Sequence, residues 1–282
     1  MTICSNPDCN HPIPPYVTRC PVCQTDAGFP NVRAAERKEE TAALESRYVQ
    51  ALKEADSRGV SNTVDEFENS LVNSQAVLCK AIREVSNISS RDDHTFVSYH
   101  QLVSVGGRIP TASKWDRIRE PAESLLFPVY FRDIQYAALS LNNLGPSGYG
   151  KCSITLQPSS IEKRASLLEQ NSITFVTDRK LSPESTLPVG YRATWHSRGK
   201  LAVAKLATSL KDTTKQEEFP GILLEDTSAT DCSLIEVQIF GQIHPQAIAH
   251  IVIRGLSAKA EHIFADDIRE SMASRSVAVD VL

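Results

Sequence analysis

The chain has 282 residues, 41% of them hydrophobic and 23% charged, with a formal net charge of −4 at pH 7. That supplies enough apolar material for a packed core and shows no globally basic field of the kind that announces a nucleic-acid binder. No apolar run approaches the roughly 18 residues a membrane span requires, and the first residues are polar and cysteine-bearing, so a cytoplasmic protein without a membrane partner is expected.

The seven cysteines are unevenly placed. Cys79, Cys152 and Cys232 are isolated, whereas Cys4, Cys9, Cys20 and Cys23 crowd the opening stretch "CSNPDCNHPIPPYVTRCPVCQTDAG". An odd total with one tight cluster argues for metal binding in a reducing compartment rather than a disulfide framework. Cys4-x4-Cys9 and Cys20-x2-Cys23 are pairs that each fold as a turn pointing two thiolates at one ion, and four thiolates saturate a structural Zn²⁺ without leaving a position for catalysis. His11 is an alternative to Cys9 as a ligand. A module this small cannot build a core without such a staple.

Residues 31–90 read as helical. "NVRAAERKEETAALESRYVQALKEAD" is rich in good helix formers with sparse apolar spacing at Leu44, Tyr48 and Leu52, and Gly59 ends it. A second helix is expected through "SNTVDEFENSLVNSQAVLCKAIREV", capped within Ser61 to Thr63, with an apolar stripe of Val64, Phe67, Leu71, Leu78, Ile82 and Val85. The pair is expected as a helical hairpin packed on the C-terminal body of the chain, in preference to a coiled coil, because no heptad persists.

From residue 91 the pattern changes to short strand-like runs broken by Gly and Pro. Strands are expected near Thr95–Val103, Cys152–Gln157, Ser172–Val176, Leu234–Phe240, His250–Arg254 and Ser276–Leu282. Helices are expected at Phe131–Asn142, Ile161–Gln170 (opened by a Ser159…Glu162 capping box), Gly199–Leu210 and Ala258–Ala273. The fold class is therefore α+β, with a zinc ribbon over 1–30, a helical hairpin or linker over 31–90 and a mixed-sheet body over 91–282.

Phosphate-binding glycine loops, a G-x-S-x-G elbow and an H-E-x-x-H helix are all missing from the sequence, which argues against nucleotide hydrolysis and the common hydrolase chemistries. What stands out is Glu236 inside "LIEVQIF". Burying a carboxylate costs several kcal/mol, in the range of about 2–7 or more, unless it is paired, hydrogen-bonded or protonated. It is either a catalytic group or the outward residue of an amphipathic edge strand. Two further stretches accompany it. "TFVSYHQLV" presents Tyr99 and His100 on opposite faces of a strand, one toward a cleft. "NLGPSGYGKCSITLQPSSIEKRASLLEQNSITFV" carries Tyr149 between glycines and Arg164 on a helix.

With these residues in place the chain resembles the ADP-ribosyltransferase superfamily, in particular the DarT-like bacterial toxins that modify nucleic acid. The resemblance runs over about residues 95–253: a catalytic glutamate on a strand near the C-terminus, here Glu236, then an apolar tail with Pro245, Ile248 and Ile251. It implies a split-sheet transferase domain that takes NAD as substrate, with Glu236 stabilising the oxocarbenium-like ribose when nicotinamide leaves. It further implies His100 in contact with ribose, Tyr99 or Tyr149 stacked on nicotinamide and Arg164 paired with pyrophosphate. Gln238 stands where some subgroups carry a second glutamate, and no Ser-Thr-Ser strand is present, which argues against a protein arginine as acceptor and leaves RNA, DNA or another target open. A toxin or defence effector of this kind implies a neutralising antitoxin or regulatory partner.

The segment "PVGYRATWHSRGKLAVAKLATSLKD" interleaves Arg192, Arg198, Lys200, Lys205 and Lys211 with Tyr191, Trp195 and His196. It reads either as a single-strand nucleic-acid contact or as a helix burying Leu201, Ala204, Leu206 and Leu210. The competing function class is a non-catalytic zinc-ribbon protein that binds nucleic acid or another protein.

Overall fold

A computed structural model describes residues 2–107, 114–226 and 232–282, with the side chains of 114 and 115 left aside. The chain opens with strands β1 (Thr2–Ile3) and β2 (Pro12–Ile13), paired antiparallel within the cysteine knuckle. Pro30 starts α1 (Pro30–Ala35), where its missing N–H costs nothing. The long α2 (Lys38–Ser57) buries Leu44, Ala51 and Ala55 and carries Glu39 and Glu40 in its first turn, where they suit the helix dipole. It ends as the sequence indicates. Gly59, at φ +71°, donates to Asp56 O and Val60 donates to Ala55 O, closing the orphan carbonyls of the last turn.

The next segment corrects the expected second helix. Only α3 (Ser61–Ser70) forms, without a side-chain cap; after a turn at Leu71–Asn73 the chain becomes strand β3 (Gln75–Lys80) and then helix α4 (Ile82–Ser89). Val64, Phe67, Leu71, Leu78, Ile82 and Val85 are all buried, but from separate elements. Residues 31–90 are accordingly not a hairpin standing outside the body, because β3 lies in the middle of the sheet and no boundary falls at 90/91.

Other elements along the chain also differ from expectation. The strand expected at Thr95–Val103 is helix α5 (Tyr99–Ser104): Ser98 Oγ accepts from Gln101 N while Gln101 Oε1 accepts from Ser98 N, a reciprocal cap that overrides local β preference. Helix α6 (Lys114–Leu126) leads to a short turn at Phe131–Asp133 and then to β4 (Ile134–Ser140), where a helix was expected. After β5 (Cys152–Leu156), the expected helix at Ile161–Gln170 is replaced by the single turn α7 (Pro158–Ile161), which has no side-chain cap, and by β6 (Ala165–Leu168). The expected strand at Ser172–Val176 is α8 (Ser172–Asp178), because Asn171 Oδ1 accepts from Ile173 N and Thr174 N and starts a helix on a β-branched run. Each overturned expectation concerns a short apolar run that periodicity leaves ambiguous until pairing partners decide it.

The remaining elements are β7 (Arg192–Thr194), α9 (Arg198–Leu206), α10 (Phe219–Leu223), β8 (Glu236–Phe240), β9 (Ile248–Ile253), α11 (Lys259–Ala273) and β10 (Ala278–Val281). The strands β10-β9-β5-β3-β4-β8-β6-β7 make one mixed sheet, antiparallel throughout except for the β10–β9 pair. The protein is thus α+β.

The sheet has two unlike faces. Ala76, Leu78, Ala137, Leu139, Leu167, Val237 and Ile239 point one way, into the main core with α2, α3 and α9. The alternate residues Val77, Cys79, Tyr136, Ala138, Glu236 and Gln238 point the other way. On that side Leu168 and Ile134 pack with Phe127 of the segment after α6 and Phe175 of α8 in a second, smaller cluster, and a recess remains beside it. Among the described residues no helix is long and apolar enough to cross a membrane.

Candidate functional site

The cysteine knuckle is the simpler of two sites. Asn10 and Gln24, each just after the second cysteine of a pair, adopt φ +47° and +60°, and Gln24 N donates to Cys20 O at 2.9 Å to close the second turn. The four sulfurs lie within 4.8 Å of one another, with Cys4–Cys23 at 3.5 Å and Cys9–Cys20 at 3.7 Å. Tetrahedral thiolates about 2.3 Å from a zinc ion stand about 3.8 Å apart, so the arrangement fits Zn²⁺. His11 is not part of the cluster. A bound metal would be held by Cys4, Cys9, Cys20 and Cys23 and would supply cross-linking.

The second site is built around Glu236. Strand β8 is interior, between β4 and β6, and Glu236 is only 3% exposed, which rules out a surface-paired edge residue. It lies opposite Ala138 on one neighbour and Leu168 on the other. Ile235, Val237 and Ile239 belong to the main core, so Glu236 faces the recess by simple alternation. That recess, about 70 Å³, is lined by Val77, Cys79, Tyr136, Tyr149, Asn171 and Leu234 among others.

The carboxyl meets the start of α8. Asn171 Nδ2 and Ser172 N donate to Oε2, each at 3.2 Å; Ser172 Oγ and Gln238 Nε2 donate to Oε1, the latter at 3.2 Å. No cation pairs with it among the described residues. Burial pushes its pKa up to about 7 against the lowering pull of the Ser172 and Gln238 hydrogen bonds, and the charge of Glu123 adds to the rise.

Tyr149 lies in a turn at Ser147–Tyr149 and lines the recess while remaining 44% exposed. The turn is pressed against β3: a Cβ on Gly150 would stand 2.3 Å from Lys80 C and O, so glycine alone permits this approach. Ser147 N donates to Asp226 Oδ2 at 2.8 Å from the other side. Cys79, also lining the recess, has its thiol pushed up to about 11 by burial, which disfavours a thiolate nucleophile.

The other residues singled out from the sequence are placed differently. His100 lies on α5, 8% exposed, with Nε2 2.6 Å from Glu123 Oε2; Arg119 donates to the same carboxylate at 2.9 Å and covers the Tyr99 ring at 4.8 Å. Tyr99 and His100 are consecutive helix residues with rings 5.4 Å apart, and neither is a recess-lining residue. Burial works against the Arg119 charge, but Glu123, Tyr136, Glu236 and Tyr149 together hold its pKa above the ordinary value, which puts this α5–α6 cluster within electrostatic reach of the recess. Arg164 is not on a helix. It follows α7, donating from Nη1 to Phe240 O and Gln242 O at 2.7 and 2.8 Å and from Nε to Ser160 O at 2.9 Å. These bonds occupy the guanidinium expected at pyrophosphate.

The basic segment forms the helix; Lys200 pairs with Glu45, His196 and Lys211 are exposed, and the other cations are engaged internally. Arg192 and Trp195 are buried; Arg198 donates to Ser74 Oγ, Trp195 O and Val72 O; Lys205 donates to Leu234 O, its amine pushed down to about 8 by burial. Asn171, Ser172, Tyr136 and Gln238 complete the Glu236 site; their sequence signals are confined to Asn171-Ser172 as an N-cap pair and to Gln238 as the last position of the E-x-Q stretch. Compared with protein-family models and with curated proteins, the chain matches none.

Proposed function

We propose that the protein is an NAD-dependent ADP-ribosyltransferase in which Glu236 is the catalytic carboxylate. The observation that carries this reading is a buried carboxyl at a recess, with no salt bridge among the described residues, fixed by neutral donors and beside an aromatic turn residue. In the reaction the bond from ribose C1′ to nicotinamide breaks and its electron pair leaves with neutral nicotinamide. A nucleophile of the acceptor then bonds to C1′, and its proton is released to solvent water. Glu236 in its ionised form stabilises the cationic ribose, and Tyr149 offers a face to the nicotinamide ring. The recess is smaller than the roughly 300–1,000 Å³ of a whole ligand site, so the nicotinamide end approaches Glu236 and the rest of NAD lies outside it.

Acceptance by RNA or DNA, a toxin or defence role, a neutralising partner and a cytoplasmic setting belong to the same reading. They rest on the family resemblance and, for the last, on four thiolates suited to a reducing compartment. The split-sheet transferase fold is likewise part of the proposal. A second reading has its own support: both Glu236 oxygens accept hydrogen bonds from the chain, as a purely structural carboxyl in a non-catalytic zinc-bearing binding protein would. Nicotinamide release by wild type and Glu236→Gln, with and without RNA, DNA or cell extract, separates the two. Release lost in the variant supports the transferase, and the additive that accelerates it identifies the acceptor. Inertness of both proteins under every additive sinks the transferase reading.

A further inference from the structure

The cysteine knuckle and the Glu236 recess are joined by hydrogen bonds. Arg33 on α1 donates to four carbonyls of the knuckle: Pro14 O at 3.1 Å and Val17, Ala27 and Gly28 O at 2.8 Å each. Two residues earlier, Asn31 turns the other way, into the sheet. Its Nδ2, with two protons to donate, lies within hydrogen-bond distance of three acceptors: Gln238 O at 2.9 Å, Arg164 O at 3.0 Å and Ser166 Oγ at 3.1 Å. Ser166 Oγ donates in turn to Gln238 Oε1 at 3.1 Å, and Gln238 Nε2 donates to Glu236 Oε1. The hydrogen bonds run in one direction, from Asn31 Nδ2 to the carboxyl, while Asn31 Oδ1 is buried without a hydrogen-bond partner.

Asn31, Ser166 and Gln238 are all buried. In such surroundings a polar group keeps its partners or loses heavily, so the orientation of each amide depends on the next. The charged and titratable groups that face Glu236 come from elsewhere: Arg119 and Glu123 from α6, Tyr136 from β4, Cys79 from β3 and Tyr149 from the glycine-flanked turn. The relay adds no charge. What it sets is the orientation of the Gln238 amide against the carboxyl.

We propose that Asn31, Ser166 and Gln238 are positioning residues that couple the orientation of the Glu236 carboxyl to occupancy of the cysteine knuckle by metal. The knuckle buries little besides Cys4, Ile13 and Cys20; without metal its carbonyls disperse, Arg33 loses its four acceptors, and α1 loses the anchor that aims Asn31 at Ser166 and Gln238. The transferase reading enters only in making Glu236 the group whose competence is regulated.

The test uses the full chain with side-chain-labelled glutamate, the Glu236 carboxyl signal being assigned by its loss in Glu236→Gln. The titration midpoint of that signal is followed with Zn²⁺ and after chelation, in wild type, Ser166→Ala, Ser166→Thr and Arg33→Gln. Because Gln238 donates to the ionised carboxyl, breaking the relay is expected to raise the midpoint by about half a pH unit or more. Chelation of wild type and Ser166→Ala with metal should give the same rise, chelation of Ser166→Ala should add nothing, and Ser166→Thr, which keeps the hydroxyl, should restore the wild-type midpoint. Arg33→Gln should show the rise while still holding its metal. An unmoved midpoint in Arg33→Gln, or chelation and Ser166→Ala effects that add in full, overturns the coupling. Nicotinamide release is read separately: a coupled carboxyl in a protein without turnover leaves the relay standing and removes the transferase, and turnover with an uncoupled carboxyl does the reverse.

Discussion

The two sites joined by Asn31 are built in opposite ways. The knuckle brings four like side chains together with two short turns and almost no core, whereas the recess holds one carboxyl in place with residues from β8, α8, β4 and the turn before β5, all resting on a continuous apolar sheet face. One has the make-up of a fold that a bound metal would hold together. The other depends on the fold for its burial, since only a core already formed can hold Glu236 out of water with no salt bridge to it among the described residues.

The sharpest way to break this contrast is to remove a knuckle ligand. Cys20→Ser should abolish tight metal binding, on the order of 10 kcal/mol for a structural zinc site, and expose residues 2–28 to protease while leaving the circular dichroism of the body near that of wild type. Unfolding of the whole chain would show that the two regions are one cooperative unit. In the reverse direction, Phe67→Ala deletes a ring fully buried against Phe219, 5.3 Å away. Urea denaturation should show a loss of about 3–5 kcal/mol with metal content unchanged.

Glu236 itself sharpens the comparison through pH. Its folded pKa of about 7 stands above the ordinary 4.5, so the folded state binds the proton more tightly. Stability from this group is fully present below 4.5, is lost as pH rises through 7, and amounts to roughly 3 kcal/mol at about 1.4 kcal/mol per pH unit. Urea midpoints of wild type should therefore fall between pH 5 and 8 by more than those of Glu236→Gln, and nicotinamide release should rise with pH through about 7 as the carboxylate forms. A stability difference between the two proteins that does not change with pH would remove the argument for a protonated buried carboxyl. The smallest effect is expected at Arg164: Arg164→Ala should cost about 1–3 kcal/mol by stripping charge-assisted bonds from Phe240 and Gln242 carbonyls, with no change in KM for NAD. A raised KM with unchanged stability would return Arg164 to the pyrophosphate.

How much is legible in the sequence differs between the two regions for the same reason. Cys4, Cys9, Cys20 and Cys23 are close in the chain, so spacing alone states their geometry. Glu236 is conspicuous because a carboxylate interrupts Leu234, Ile235, Val237 and Ile239, and Tyr149 because glycine flanks it. Ser172 is not, because its importance is contact with Glu236 across 64 residues of chain, and Gln238 stands out only as the last position of E-x-Q, not as a donor to the carboxyl. The misread elements share this logic. "QAVLCK" continues a helical stripe on paper, yet it pairs with β4 and β5 on both sides.

The sequence by itself determined the cysteine cluster, the long α2 with its glycine stop, the burial of Val64, Phe67, Leu71, Leu78, Ile82 and Val85, and the strand that carries Glu236. Local spacing and apolar patterning encode those directly. Only the tertiary structure decided that β3 is central, that Tyr99 and His100 sit on a helix bound to Glu123, that Arg164 serves carbonyls, and that Asn31 reaches Gln238. Strand pairing and buried hydrogen bonds join residues far apart in the chain, and short apolar runs take whichever conformation their distant partners satisfy.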